Sequence, residues 1–302
     1  MRTIALVTDS SVALPDDALE QLKAEGGFSV LELPVTVAGR SVSGVPANHI
    51  DAAIALAHAQ GEQILTSGGA PGALVDIYEQ LAAQGYSAII SMHLSGELSG
   101  TCDAARLAAR LVDIPVVVID SLSLAMGLGE PVLRLHRLLA KEEDLEQATA
   151  LAEELCASTE LFFFLPTLDA LKRGGRVNAA LAMVGQMFQI RPVATMVDGK
   201  LHYVERPRST AKAIEKLAAL TEQASSQRAG ELPLDVHLKD GETAHLLRRL
   251  GRVVAIHYSG NKEQALDFKR SLGSIAAEAV VTPLPAVLSA HSGLGALAAV
   301  IF

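Results

Sequence analysis

Tryptophan is absent from this 302-residue chain, aromatic residues make up only 4% of it, and cysteine occurs twice. So few rings leave out the stacking platforms used for single-stranded nucleic acid or sugars. Cationic surface is scarce as well: 25 Lys and Arg against 34 Asp and Glu give a net charge of -9, whereas phosphate-backbone binding needs a basic face. Nucleic acid is not the expected partner. Cys102 and Cys156 stand alone, with no CxxC pair and no histidine at ligand spacing. That argues against a disulfide framework or a zinc site and fits a reducing cytoplasm, and neither metal nor cofactor is expected. The apolar runs are short. Phe162-Phe163-Phe164 and Ala296 to Phe302 fall far below the roughly 20 apolar residues that span a bilayer. The N-terminus enters a strand pattern by Thr3 without a basic-then-apolar segment, so no signal peptide is expected. There is no Walker A lysine, no G-x-G-x-x-G after the first strand and no G-x-S-x-G elbow.

What is present is a recurrence. Five apolar runs end abruptly in small polar residues: Ile4 to Val7 before Thr8-Asp9-Ser10-Ser11, Ile64-Leu65 before Thr66-Ser67-Gly68-Gly69, Ala88 to Ile90 before Ser91 and the Ser95 to Thr101 segment, Val116 to Ile119 before Asp120-Ser121, and Val287-Leu288 before Ser289 to Gly295. Short apolar runs bounded by turn residues read as buried strands, so the carboxyl ends of several parallel strands are expected to converge on one polar rim. Ligands of open α/β sheets bind at such a rim. Hydroxyls, glycine N–H groups and helix N-termini suit an oxyanion, which points to a small anion or carboxylate site.

Half of the residues are apolar, enough for a substantial core. Residues 3 to about 158 alternate strand and helix patterns, with helices at Pro15–Gln21, Asn48–Gln60, Pro71–Gln84 and Gly100–Leu111, and a pair over Ser123–Ala157 broken near Glu130-Pro131. The Lys141 to Asp144 charge run reads as a helix start or turn. After Thr159 the pattern mixes: a strand Leu161–Leu165, a helix from Thr167 to Lys172, a hairpin of Ile190–Val197 and Leu201–Val204 about Asp198-Gly199, helices Thr210–Gln223 and Glu242–Arg249, and strands Val253–Tyr258 and Ala279–Thr282. The expected fold class is α/β in two domains: residues 1-158 as a three-layer α/β/α parallel sheet, and 159-302 as a two-layer α/β domain with a mixed sheet.

The chemistry-bearing residues each have an ordinary reading too. Ser99 is placed to cap a helix, yet Leu94 to Thr101 carries more hydroxyls and glycines than one cap needs. Lys172 and Arg173 suit a helix end; Arg176, just past Gly174-Gly175, is the better ligand candidate. His291 is expected between a strand and a turn into a closing helix, structural or ligand-binding. A Ser, His291 and Asp120 triad can be composed, though residue order proves nothing.

Taken together, Val7-Thr8-Asp9-Ser10, Thr66-Ser67, Leu98-Ser99-Gly100-Thr101, Ile119-Asp120-Ser121, Gly174-Gly175-Arg176, Arg191-Pro192 with Asp198-Gly199, and His291 to Gly295 resemble, in order along the whole chain, the DegV family of bacterial fatty-acid-binding proteins. The resemblance implies a two-domain protein holding one fatty acid between its domains, the acyl-carrying and non-catalytic subunit of a fatty-acid kinase, whose separate ATP-dependent partner converts the carboxylate to acyl phosphate. By position it implies ligand-binding roles for Thr66, Ser67, Ser95, Ser99, Gly100, Arg176, His291 and Ser292, and a kinase-facing role for Arg206, Arg208 and Lys212. Gly68-Gly69-Ala70 stands where the family usually has Gln-Pro-Ser, Gly96 where a second Ser is common, and Leu294 where Pro is usual. Rival readings are a serine-dependent acyl hydrolase and a sensor of another small carboxylic acid.

Elementary energetics agree with a lipid. Burying about 14 methylenes is favourable by roughly 11 kcal/mol, against an association cost of at least ~4 kcal/mol. The charged head is the difficulty, and it demands donors around it. Met183, Met187, Phe188 and Ile190 are candidates to line the tail or to serve as ordinary core.

Overall fold

The structure is a computed structural model that describes residues 3–42, 47–141, 143–175, 190–228, 230–231, 248–249 and 251–302. The chain runs β1 (Ile4–Asp9), α1 (Asp16–Glu25), β2 (Phe28–Leu31), β3 (Val35–Val37), β4 (Arg40–Ser41), α2 (Ala47–Gln60), β5 (Ile64–Thr66), α3 (Pro71–Ala83), β6 (Ala88–His93), α4 (Thr101–Ala109), β7 (Val116–Asp120), α5 (Met126–Leu138) and α6 (Leu145–Ala157). Then come β8 (Glu160–Phe164), α7 (Asp169–Arg173), β9 (Val193–Val197), β10 (Lys200–Glu205), α8 (Thr210–Arg228), β11 (Gly230–Glu231), β12 (Arg248–Arg249), β13 (Val253–Tyr258), α9 (Lys262–Ser271), β14 (Val280–Pro283), α10 (Ala286–Ser292) and β15 (Leu297–Ile301).

The first sheet is parallel throughout, in the order β2-β1-β6-β7, with Ile4 opposite Ala88 and Ile89 opposite Val116. Its strands are apolar on both faces because both are covered. Ile4 and Leu6 point to α1, α5 and α6, whereas Ala5 and Val7 point to the α2, α3 and α4 side. The second sheet, β10-β9-β8-β15-β13-β14, is antiparallel except for the β13–β14 pair. The fold is therefore α/β with one parallel and one mixed sheet, a two-domain arrangement.

Helix α5 lies between the two sheets, against β1 and β6 on one side and β13 and β15 on the other. Leu128, Val132 and Leu135 share one core with Ile4, Leu6, Ala298 and Val300. A helix buried on both sides needs narrow places, and Gly127 and Gly129 supply them. A Cβ at Gly129 would stand 2.5 Å from the Val12 carbonyl oxygen. Pro131, expected to break the helix pair, sits inside α5 without ending it. A mid-helix proline strands the carbonyl four residues earlier; here that is Gly127, and Thr159 Oγ1 donates to it at 3.0 Å. The break falls later, where Asp144 caps α6 by accepting the N–H groups of Glu146 and Gln147 at 2.9 and 3.1 Å.

Four further expectations are corrected. Ile64-Leu65 does not join the parallel sheet: β5 pairs antiparallel with β3 in a small β4-β3-β5 sheet. Val287-Leu288 is helical, within α10, because a short apolar run entered from Pro285 has no period long enough to tell strand from helix. The segment after Gly295 is strand β15, central in the second sheet, not a closing helix. The helix expected over Glu242–Arg249 falls mostly outside the described residues, and its end, Arg248–Arg249, is strand β12.

Candidate functional site

A cavity of about 880 Å³, counted to its mouth, is walled by segments 33–125 and 161–298. Its surface is overwhelmingly apolar: Leu94, Leu98 and Leu124 face Phe163, Leu165, Leu171 and Leu201, and Val287 and Leu288 of α10 close a side. Five side chains bring polar atoms to it: Thr66, Ser67, Ser99, His291 and Ser292.

Those five converge through local structure. Thr66 ends β5, held by pairing with Val35, and Ser67 N–H donates to the Pro34 carbonyl at 3.1 Å. The chain then turns through Gly68-Gly69 into α3. Gly69 N–H donates to Thr101 Oγ1 at 3.2 Å, and a Cβ on Gly69 would collide with Leu31 at 2.4 Å. Glycine therefore lets this loop lie against Ser99-Gly100-Thr101, the entry to α4. Ser99 Oγ accepts Thr101 N–H at 3.3 Å and lies 2.8 Å from Thr101 Oγ1. Gly100 occupies the N-cap position of α4 and presents no side chain to the cavity. From the opposite side the last turn of α10 brings in His291, whose Nε2 lies 2.6 Å from Thr66 Oγ1. The ring is set by Gly174: a Cβ there would come within 2.1 Å of His291 Nδ1. The N-termini of α3 and α4 flank this end, adding positive backbone potential.

An oxyanion entering here meets hydroxyls, an imidazole and helix N-termini, with no described carboxylate among the lining residues. The remainder of the cavity offers nothing but hydrocarbon contact. Such an arrangement can hold an amphiphile with a small acidic head.

Of the expected ligand residues, Gly100 is not part of the cavity lining, and neither is Ser95. Ser95 is fully buried, donates to the Gly199 carbonyl at 2.7 Å and does not reach the cavity. Arg176 lies outside the described residues, as do Met183, Met187 and Phe188. Ile190 is half-buried against the Leu165–Leu168–Leu171 cluster. The composed triad is not assembled: Asp120 accepts the N–H groups of Gly96 and Leu122 at 3.0 and 2.9 Å, and His291 bonds to Thr66.

A second polar cluster, which the sequence reading missed, lies beneath the rim. Asp9 Oδ1 accepts Ser11 N–H and hydroxyl at 3.0 and 2.5 Å, and Oδ2 accepts Leu94 N–H and lies 3.0 Å from His93 Nδ1. His93 Nε2 lies 2.8 Å from Ser91 Oγ, which accepts the Tyr78 hydroxyl at 2.8 Å. All six residues are buried. Burial alone would raise the Asp9 pKa, but the bond and charge of His93, helped by Ser11 and Leu94, bring it below the ordinary value. The alternation of Ser91 and His93 along β6 with Asp9 ending the neighbouring strand was the available signal. Both thiols are pushed up to about 12, chiefly by burial, and are unreactive there.

A family model described as "Uncharacterised protein, DegV family" matches residues 3–302. A DegV domain-containing protein from Streptomyces coelicolor is 31% identical, the match covering 99% of this chain and 98% of that protein. The chain belongs to the DegV family. Among solved structures, a DegV family protein from Thermus thermophilus described by its fatty acid binding aligns with a TM-score of 0.78 at 28% identity, over 100% of this chain and 99% of that one. DegV from Bacillus subtilis, described as a fatty acid binding protein, aligns with a TM-score of 0.81 over 100% of both chains. At 24% identity that second likeness bears on the fold alone. The DegV fold thus accounts for both sheets. Among the described residues no cluster of His, Cys, Asp or Glu could hold a metal, and no helix is long and apolar enough to cross a membrane.

Proposed function

We propose that this DegV protein binds one long-chain fatty acid, with the carboxylate among Thr66, Ser67, Ser99, His291 and Ser292 and the acyl chain along the leucine-lined wall. The observation that carries the reading is the cavity itself: one polar end and an otherwise hydrocarbon surface. The fatty acid binding of the Thermus thermophilus relative supports it. Two domains meeting near residue 158 and enclosing the lipid between them are part of the same proposal, as is a cytoplasmic location.

The finer role is that of a carrier, without catalysis of its own, that presents the carboxylate to a separate ATP-dependent kinase for conversion to acyl phosphate. A carboxylate is a poor nucleophile until it is positioned beside a transferable phosphoryl group, and such transfer needs a phosphate cradle and metal ligands. The sequence carries no Walker A lysine. His291, and Arg176 close after Gly174-Gly175, are suited to stabilising charge where the phosphate arrives. Arg206 and Arg208, between β10 and α8, and Lys212, in the first turn of α8, are exposed and form the proposed kinase-facing surface, Lys212 already pairing with Glu215 at 2.6 Å.

Native mass spectrometry of the freshly purified protein is expected to show about one fatty acid per chain. Bare protein that takes up neither oleate nor palmitate would remove the lipid reading, and a different extracted acid would redirect it to another carboxylate. With ATP and Mg²⁺ alone the loaded protein is expected to form no acyl phosphate; with a cognate kinase it does, and Arg176→Ala and His291→Ala lower that coupled rate at saturating lipid. Full activity in both variants would reject their roles.

A further inference from the structure

The hairpin tip Asp198-Gly199-Lys200 is pinned to the first sheet's rim. Buried Ser95 Oγ donates to the Gly199 carbonyl at 2.7 Å, and Lys200 Nζ lies 3.6 Å from the Glu97 carboxylate, both side chains about half exposed. The fit is close. Gly199 has φ +75°, and a Cβ on it would stand 2.6 Å from Ser95 Oγ and 3.1 Å from Leu122 Cδ2. The receiving loop is itself held: Gly96 N–H donates to Asp120 Oδ2 at 3.0 Å and Ser95 N–H to the Ser123 carbonyl at 2.9 Å. One side is thus a braced loop, and the other is the end of a two-stranded projection at the edge of the second sheet.

Each side of this contact leads at once into the cavity wall. Leu98 and Ser99 follow Glu97, Leu201 follows Lys200, and Leu124 follows Ser123; all four line the cavity. Separating the hairpin tip from the loop would part Leu201 from Leu98 and open the apolar wall along its length. We infer that Ser95–Gly199 and Glu97–Lys200 form a clasp that sets the rate at which the acyl chain enters and leaves. This rests on the fatty-acid reading above.

A clasp has a kinetic signature that a ligand contact lacks. Its four residues are not part of the cavity lining, so weakening it is expected to speed association and dissociation by the same factor and to leave Kd unchanged. A residue that touches the lipid changes Kd, mostly through dissociation. General damage lowers stability and stoichiometry.

The test measures uptake of cis-parinaric acid by its fluorescence and release of preloaded radiolabelled oleate to albumin, with stoichiometry by native mass spectrometry. Ser95→Ala is expected to raise both rate constants roughly two- to tenfold, the range set by one net hydrogen bond. At low salt Glu97→Lys and Lys200→Glu are each expected to raise both about twofold, and the doubly reversed protein to return to the wild-type rates. Glu97 and Lys200 are half exposed, so their reversal tests the clasp even if Ser95→Ala fails to fold. Loaded variants that exchange at wild-type rates, or that change Kd instead, overturn the clasp alone. Wild-type protein that neither carries nor takes up fatty acid overturns the clasp together with the function it rests on.

Discussion

His93 and His291 each hold Nε2 close to a hydroxyl, 2.8 Å from Ser91 Oγ and 2.6 Å from Thr66 Oγ1, yet their surroundings differ in every other respect. His93 is wholly buried on β6 with its other nitrogen on Asp9, and the chain of bonds ends at Tyr78 inside the protein. His291 is half-buried, in the last turn of a short helix, and lines the cavity. Serine, histidine and a nearby acid are thus no signature by themselves. The first cluster saturates its own donors and acceptors and braces the rim, because Asp9 holds Leu94 and the neighbouring Ser10 Oγ accepts Leu33 N–H at 2.9 Å, and both leucines line the cavity. The second stands on the cavity wall, where a ligand can reach it.

The sharpest way to break that contrast is Asp9→Ala. Losing the carboxylate strands His93 Nδ1 and the N–H groups of Ser11 and Leu94 in a dry interior, and breaking a buried pair of this kind costs about 3–5 kcal/mol. Urea denaturation is expected to show that loss, while the folded fraction still carries fatty acid. A variant as stable as wild type but unable to bind would put Asp9 on the ligand side of the comparison.

A third imidazole extends the contrast to pH. His257, on β13, is buried with no carboxylate beside it among the described residues, and its Nε2 accepts the Met126 N–H at the start of α5, 3.2 Å away. Burial lowers its pKa to about 4, with only a backbone contact to Thr282 opposing. The folded value lies below the unfolded value of about 6.5, so the native state favours the neutral ring. The stability this confers is complete above about pH 6.5 and is lost as pH falls toward 4, by about 3 kcal/mol in total. Stability measured at pH 8, 6 and 4.5 is expected to fall more steeply for wild type than for His257→Gln; parallel curves would place the titration elsewhere. Asp9, with its pKa lowered, adds a loss only at still lower pH.

What the sequence made legible follows from how local each signal is. The strands β1 and β6 were readable because both of their faces are buried, which leaves continuous apolar runs, and the partly exposed β7 and β13 because their runs are rich in Val and Ile. The turn at Asp198-Gly199 was readable because its backbone needs φ of 48° and 75°. All five polar lining residues stood in small polar segments flanked by glycine, while the direction of a side chain did not show. Ser95 and Ser99 are four residues apart in one hydroxyl-rich loop, but the first is spent on a carbonyl 104 residues away. The same distance hid α5, which looked breakable at Pro131 because its rescuer, Thr159, lies beyond the end of the next helix. Val287-Leu288 went wrong for the opposite reason, too little sequence to carry a period.

At the cavity, Thr66→Ala with Ser99→Ala removes hydroxyls that face the proposed carboxylate. Each bond to a charged group is worth roughly 1.5–3 kcal/mol, and water can replace part of it. The double variant is expected to bind fatty acid about 2 kcal/mol more weakly and to keep its wild-type denaturation midpoint in the lipid-free state. Equal affinity would shift the head group toward Ser67 and Ser292, and a large stability loss would make this cluster resemble the one around Asp9.

The smallest expected effect isolates the placement of His291 from its chemistry. Gly174 has an ordinary helical φ of -78°, so alanine there suffers no backbone strain; its main conflict is the imidazole, 2.1 Å from the new Cβ, with the Ala170 carbonyl oxygen a lesser one at 3.3 Å. Because the ring is half-buried and borders open space, it can swing away, which keeps the stability loss below that of a crowded core, where overpacking costs about 1–3 kcal/mol. Swinging away breaks the 2.6 Å approach to Thr66 Oγ1. Gly174→Ala is therefore expected to leave the melting temperature within about 2–4 °C of wild type, a loss of at most about 1 kcal/mol for a chain of this size. Fatty-acid affinity is expected to fall about tenfold, or roughly 1.4 kcal/mol. Isothermal titration with oleate, beside His291→Ala as the reference, reads the difference. If Gly174→Ala binds as wild type does while His291→Ala does not, the imidazole acts from either position, and its contact with Thr66 is not what places the carboxylate.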